Sequence, residues 1–198
     1  MMLRFSLVLI SLLLFACQNE SVSLPKPRAF PKIEYPDKSY KPFDENYCHF
    51  TFEMPEYTQV EQDTIFFNEK SVDPCWFNLY YPDFNCRIYF SYYPITPENP
   101  FSKLNKDAFN LAMEHNRKAS YIDEVKFEKP NNVSGFIFNL EGPVATPFQF
   151  YLTDSTTHFL RGALYFNTQI RPDSLAPLYE FVKLDISHMI NTFAWTEH

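Results

Sequence analysis

Histidine is the side chain best suited to hold a metal or move a proton near neutral pH, and the chain has five: His49, His115, His158, His188 and His198. None stands in a recognisable zinc spacing with other ligand-grade residues. Two short runs place Asp, Ser and His close together, Asp154-Ser155-Thr156-Thr157-His158 and Asp185-Ile186-Ser187-His188. A Ser-His-Asp triad is assembled in space, usually from distant segments, and the G-x-S-x-G elbow that exposes a nucleophile is missing. The first run reads as hairpin-turn chemistry and the second as the polar face of a helix. Three glycines in the whole chain cannot build a Walker loop or a dinucleotide fingerprint. No catalytic residue, no metal ligand and no cofactor is therefore expected.

Cysteine is the remaining reactive type, at positions 17, 48, 75 and 86. Cys17 follows Arg4 and an apolar run from Phe5 to Phe15. That run is about half of the roughly 20 apolar residues a membrane-spanning helix needs, and it reads as a signal-peptide core. Leu14-Phe15-Ala16-Cys17 resembles a bacterial lipobox, so Cys17 is expected to carry the lipid and to begin the mature chain. Two or three acyl chains (palmitate among them) hold a protein stably where one holds it marginally. With Cys17 lipidated, Cys48, Cys75 and Cys86 remain. An odd count in an oxidising compartment leaves one thiol free or intermolecular, and spacing alone leaves three pairings open.

The elements that must position these residues follow from composition and period. The chain has 17 Lys+Arg against 24 Asp+Glu, net −7, and removal of residues 1–16 takes away only Arg4, giving −8. An acidic chain without a basic run suits neither nucleic acid nor anionic lipid surfaces. With 45% hydrophobic and 19% aromatic residues it can build one real core. Five prolines between Glu20 and Phe43 favour an extended spacer, read as a tether, with an arm laid on the domain through Tyr35 and Tyr40 as the alternative and room for both in different halves of the segment. The expected organisation is a lipoprotein signal peptide over 1–16, lipidated Cys and tether over 17–43, and one globular domain over 44–198.

Within that domain, strands are expected at 49–54, 75–81, 86–93, 121–128, 134–141, 148–153 and 158–167, with turns at Pro82–Asn85, Asn131-Asn132 and Asp154–Thr157. Between Phe101 and Ser120 the period changes: Leu104, Ala108, Leu111, Ala112 and His115 share one helix face. A second helix is expected to start at an Asp173 cap and to bury Leu175, Leu178, Phe181, Val182, Ile186, Met189, Ile190 and Phe193. The fold class is α+β, a mostly antiparallel sheet packed with two main helices. Its element order is similar to the PsbP/Mog1 architecture.

Alternation along the strands sets Trp76, Asn78 and Tyr80 beside Arg87, Tyr89 and Ser91, with Gln149, Tyr151, Arg161, Tyr165 and Asn167 on later strands. If these share a face, Trp76, Tyr80, Arg87, Tyr89, Tyr151, Arg161 and Tyr165 form a contact surface of the composition enriched at interfaces. The other reading, narrowly preferred for the face as a whole, is that helices cover it and the tyrosines belong to the core. For Arg161, recognition of a partner is narrowly preferred over pairing inside the domain.

The Pro-rich arm, "C-x-F-x-F-E-x-P", "PCWFNLYYP", "RIYFSYYPI", "ATPFQFYLTDSTTHFLRGALYFN" and "PDSLAPLYEFVKLDISHMI" together resemble the GldD family of gliding-motility lipoproteins of the Bacteroidota. The resemblance implies a cell-envelope lipoprotein of a gliding machinery coupled to type IX secretion, and brings no catalytic residues. It also implies that Cys48 and Cys75 form the disulfide and that Cys86 is the free thiol. Three Asp-Ser/Thr runs, at Asp63, Asp154 and Asp173, resemble the O-glycosylation acceptor pattern of such envelope proteins, with Ser155, in a turn, the best of them. The expected function is a non-enzymatic structural or assembly subunit, anchored to the inner or outer membrane and facing the periplasm, whose partners are other gliding and type IX secretion proteins. The alternative is an envelope binding module for a glycan or peptide, and an enzyme comes third.

Overall fold

The computed structural model describes residues 33–62, 65–66, 69–70, 73–167 and 172–196. The segment expected to be a signal peptide (1–16), Cys17, the first half of the Pro-rich segment, and the Asp63-Thr64 pair lie outside the described residues.

The element order is β1 (Tyr40–Phe43), β2 (Phe50–Pro55), β3 (Gln59–Gln62), β4 (Ile65–Phe66), β5 (Glu69–Lys70), β6 (Trp76–Tyr81), β7 (Cys86–Pro94), α1 (Phe101–Met113), β8 (Tyr121–Lys129), β9 (Val133–Glu141), β10 (Phe148–Thr153), β11 (His158–Phe166), α2 (Pro172–Thr192) and β12 (Ala194–Trp195). Seven strands form one sheet in the order β3-β6-β7-β11-β10-β9-β8, every neighbouring pair antiparallel. A smaller sheet, β1-β2-β12, is also antiparallel. The fold is the expected α+β domain.

Alternation splits the large sheet's side chains between two cores. Phe77, Leu79, Ile88, Phe90, Phe148, Phe150, Leu152, Leu160 and Leu164 meet Phe43, Phe50 and Phe52 of the small sheet and Leu178, Val182, Ile186, Met189 and Ile190 of α2. On the opposite face Phe138, Leu140, Tyr151 and Phe159 meet Leu104, Ala108 and Ala112 of α1. The sheet is therefore the middle of three layers. Lys129, at the end of β8, donates to the carbonyls of Ile190, Asn191 and Phe193, a cation at the negative end of α2.

The turns follow their chemistry. Asn131 and Asn132 take left-handed φ of 64° and 57° in the three-residue loop that joins β8 to β9, a conformation asparagine tolerates, and Asn85 (φ 46°) closes the β6–β7 hairpin. Gly162 lies in mid-strand opposite Phe150, and a Cβ there would overlap the Phe150 ring. The glycine serves a close approach of a ring, with the ladder unbroken.

Three expectations are corrected. The domain begins before residue 44: Tyr40–Phe43 is a strand paired to β2, and the ring of Tyr35 lies 4.8 Å from that of Phe181. Main-chain hydrogen bonding to β2 outweighs the extended-spacer tendency of the prolines, because Pro42 sits on an edge strand where a missing donor is tolerated. The helix from Phe101 stops at Met113 and tightens into a 3₁₀ turn, Glu114–Arg117, which returns the chain to β8; Leu111 is left 39% exposed and His115 lies past the α-helical face. The last helix starts at Pro172, so Asp173 is inside it.

Candidate functional site

Register decides whether the aromatic and polar residues picked from alternation meet. Trp76 is opposite Ser91, Ser91 opposite Arg161, and Arg161 opposite Tyr151. Asn78 is opposite Tyr89, Tyr89 opposite Ala163, and Ala163 opposite Gln149. Tyr80 is opposite Arg87, and Arg87 opposite Tyr165. All seven interface candidates thus lie on one face of the large sheet.

α1 divides that face. Tyr151 is 2% exposed beneath it, donates to Asn105 Oδ1 at 2.7 Å and stacks on Phe159 at 4.9 Å. Burial raises its phenol to about 12. Trp76 is 8% exposed and its indole donates to the Tyr92 carbonyl. These two leave the list of surface residues, since the core takes large rings wherever a polar tip finds a partner. The rest of the face, toward β3, has no described helix over it. There Arg87 Nε and Nη2 donate to Glu61 Oε2 and Oε1 at 2.9 and 3.2 Å, across the intervening strand β6. Its guanidinium lies 4.0 Å from the centre of the Tyr80 ring. The hydrogen bond to Glu61 is the main reason the guanidinium is held above its ordinary range. Tyr89 and Tyr165 meet edge to face at 5.2 Å. Tyr80, Arg87, Tyr89 and Tyr165 are half-buried, an aromatic platform around one neutralised ion pair.

Arg161 lies where the covered and bare parts join. Its Nη2 donates to Gln149 Oε1 at 2.6 Å, and burial draws its proton affinity down. The domain therefore pairs it with a neutral amide and not with a carboxylate.

The Asp-Ser-His runs resolve into two structural devices. Asp154 Oδ1 accepts the backbone N–H groups of Thr156, Thr157 and His158 at 2.8 to 3.0 Å, which ties the β10–β11 turn, and Ser155 is exposed at φ 66°. Asp185, expected on a polar helix face, is fully buried. It accepts Lys38 Nζ at 2.6 Å, Tyr40 at 2.9 Å, Tyr57 at 2.9 and 3.0 Å, and Tyr81 at 3.5 Å. The Lys38 ammonium also sits 3.3 Å from the Phe181 ring centre and donates to the Phe181 carbonyl. Burial pulls that ammonium below its ordinary range although Asp185 pushes the other way, and burial raises the phenols of Tyr40 and Tyr57. The signal was in the sequence: Asp185 stands three residues after Val182 and four after Phe181, inside the stripe that faces the core. His188 points away, 2.6 Å from Glu53 Oε2 and stacked on Tyr40 at 3.7 Å. The described hydrogen bonds join no serine to a histidine in either run: Thr156 Oγ1 donates to Asp154 Oδ2 at 3.0 Å, His158 Nδ1 is 2.6 Å from the Tyr92 hydroxyl, and Ser187 Oγ donates to the Lys183 carbonyl.

Cys48 and Cys75 are joined as a disulfide, and Cys86 is a buried free thiol that burial raises to about 12. Among the described residues no cluster of three His, Cys, Asp or Glu could hold a metal ion, and no helix is long and apolar enough to cross a membrane.

Fold and site together define an α+β domain with an aromatic platform on the part of its sheet that no described helix covers. The chain belongs to the gliding motility lipoprotein GldD family, whose model matches residues 20–195. Membership places it at a membrane of the cell envelope, as a lipoprotein. No curated protein matches the chain. Among solved structures it is similar to the solution structure of cyanobacterial PsbP (CyanoP) from Synechocystis sp. PCC 6803, at 8% identity over 80% of this chain and 93% of that one, with a TM-score of 0.47.

Proposed function

We propose that this lipoprotein is a non-enzymatic assembly subunit of the gliding machinery coupled to type IX secretion, and that it docks its partner on the bare end of the large sheet. Cys17 carries the anchor, and the domain faces the periplasm from the inner or outer membrane. The observation that supports this reading is the platform of Tyr80, Arg87, Tyr89 and Tyr165: large, rigid, amphipathic rings around an ion-paired Arg are what protein interfaces select. A photo-crosslinking amino acid at Tyr89, in cells that glide, should capture a defined set of envelope proteins. The same probe at Val125, which is 42% exposed on the far edge strand β8, should not. Equal capture at both positions refutes the docking face.

A second reading, an envelope binding module, draws support from a different place. His49, His158 and Trp195 form a ring stack, with centroids 5.8 Å apart between the histidines and 4.9 Å between His158 and Trp195. They line a cleft of about 820 Å³ together with Tyr92, Asp154 and Thr157. Aromatic walls with hydroxyl and amide partners suit a glycan.

A further inference from the structure

Beside α1 a second cleft, of about 430 Å³, opens onto the large sheet between Ser91, Tyr93, Phe159 and Arg161 on the strands and Lys103, Asp107 and Glu114 on or next to the helix. Arg161 is part of its lining, and its environment is unusual for an arginine. A guanidinium has five N–H donors. Its single described protein acceptor is Gln149 Oε1. Among the described residues the side-chain polar atoms sealed from solvent without a partner are Trp195 Nε1 and Thr196 Oγ1, so the remaining donors of Arg161 reach the solvent of the cleft. No described carboxylate lies within ion-pair distance of it, whereas Arg87, on the same sheet face, has one.

Behind Arg161 stands a buried polar chain. Gln149 is 1% exposed and Thr146 fully buried. Gln149 Nε2 donates to Thr146 Oγ1 at 2.9 Å, and Thr146 Oγ1 is 2.9 Å from His115 Nε2. Gln149 therefore has its amide oxygen turned toward Arg161 and its nitrogen engaged elsewhere, which fixes the orientation of the guanidinium from behind. Buried polar side chains cost stability unless every group is satisfied. A chain of this kind that ends in a charged fork with free donors has the build of a binding group held ready by a supporting shell.

We propose that this cleft binds a small ligand through a carboxylate, with Arg161 as its anchor. A planar monoanion matches the guanidinium fork in two parallel hydrogen bonds. Asp107 and Glu114 on the rim disfavour a dianion such as phosphate and favour a ligand whose remainder carries hydroxyls or an ammonium. The carboxylate can come from an acidic sugar or from the free end of a short peptide, and the volume accommodates either. This proposal is independent of the docking face and stands if that reading fails.

The test is NMR on the protein labelled with ¹⁵N, following the Arg161 Nε–H signal and the amides of Ser91, Tyr93 and Asn110. Glucuronate and N-acetyl-alanyl-alanine are titrated in separate arms, each beside its neutral amide, with sodium sulfate as a further control. The expected result is a saturable shift confined to the cleft, produced by at least one acid and not by its amide, with the responding arm naming the source. Arg161→Gln should weaken that acid by about tenfold or more, because it removes a charge-assisted pair. No saturable shift with either acid, or the same shift with amide or sulfate, overturns the proposal without needing the variant to fold.

Discussion

Replacing Lys38 with methionine keeps most of the apolar stem and removes the ammonium, with its hydrogen bonds to Asp185 and to the exposed Phe181 carbonyl. Asp185 would then hold its hydrogen bonds from Tyr40 and Tyr57 but lose the cation 2.6 Å away, in a site with no solvent exposure. Stranding one member of a buried ion pair costs roughly 3–5 kcal/mol. Lys38 is itself 28% exposed, so the lower end applies, about 3 kcal/mol. For a domain of this size each kcal/mol moves the melting temperature by about 2–4 °C, and Lys38→Met should lower it by about 6–12 °C. The double variant Lys38→Met/Asp185→Asn removes both charges, and neutral replacement of a buried pair is close to harmless where breaking it is not. It should therefore melt above the single variant. Calorimetry and near-UV circular dichroism on the purified chain read both numbers. A Lys38→Met melt within about 2 °C of wild type would refute the reasoning, as would a double variant no more stable than the single one.

The same reasoning extends to the other parts of the molecule. Gly162→Ala forces a methyl into the Phe150 ring and should cost about 1–3 kcal/mol by overpacking; an unchanged denaturation midpoint argues against the close approach. Cys48→Ser should cost about 3.5 kcal/mol on the chain-entropy view of a bridge with sequence separation 27, visible as a fall in the urea midpoint, which reductant should reproduce in wild type. Cys86, buried and raised to about 12, should resist iodoacetamide at pH 8 in the native protein and react once urea unfolds it; mass spectrometry that finds native alkylation would show the site to be open. Cys17→Ala should abolish incorporation of labelled palmitate and leave an unprocessed chain, and a mature wild-type N-terminus without lipid contradicts the anchor.

The strands and helices of this domain were legible because each buries a side-chain stripe of fixed period. Phe50 and Phe52, Ile88 and Phe90, Leu178 and Val182 declare their faces in one dimension, and Asn131-Asn132 declares its turn by backbone preference. The family, and with it the Cys48–Cys75 pairing, was legible from long stretches of specific residues, where spacing alone left three pairings open. What local pattern could not supply was the fate of each face after packing. Trp76, Tyr80, Arg87, Tyr89, Tyr151, Arg161 and Tyr165 do share a face, but only the path of α1 decided that Tyr151 is core while Tyr89 looks outward. Strands β1, β3, β4, β5 and β12 were missed because a short strand is defined by its partner's hydrogen bonds more than by its own residues. The burial of Asp185 was missed although its spacing sets it in the apolar stripe, because its residue type argues for a solvated face. A carboxylate enters a core only when a cation and hydroxyls arrive from elsewhere, and here they come from Lys38, Tyr40, Tyr57 and Tyr81, each more than a hundred residues away along the chain.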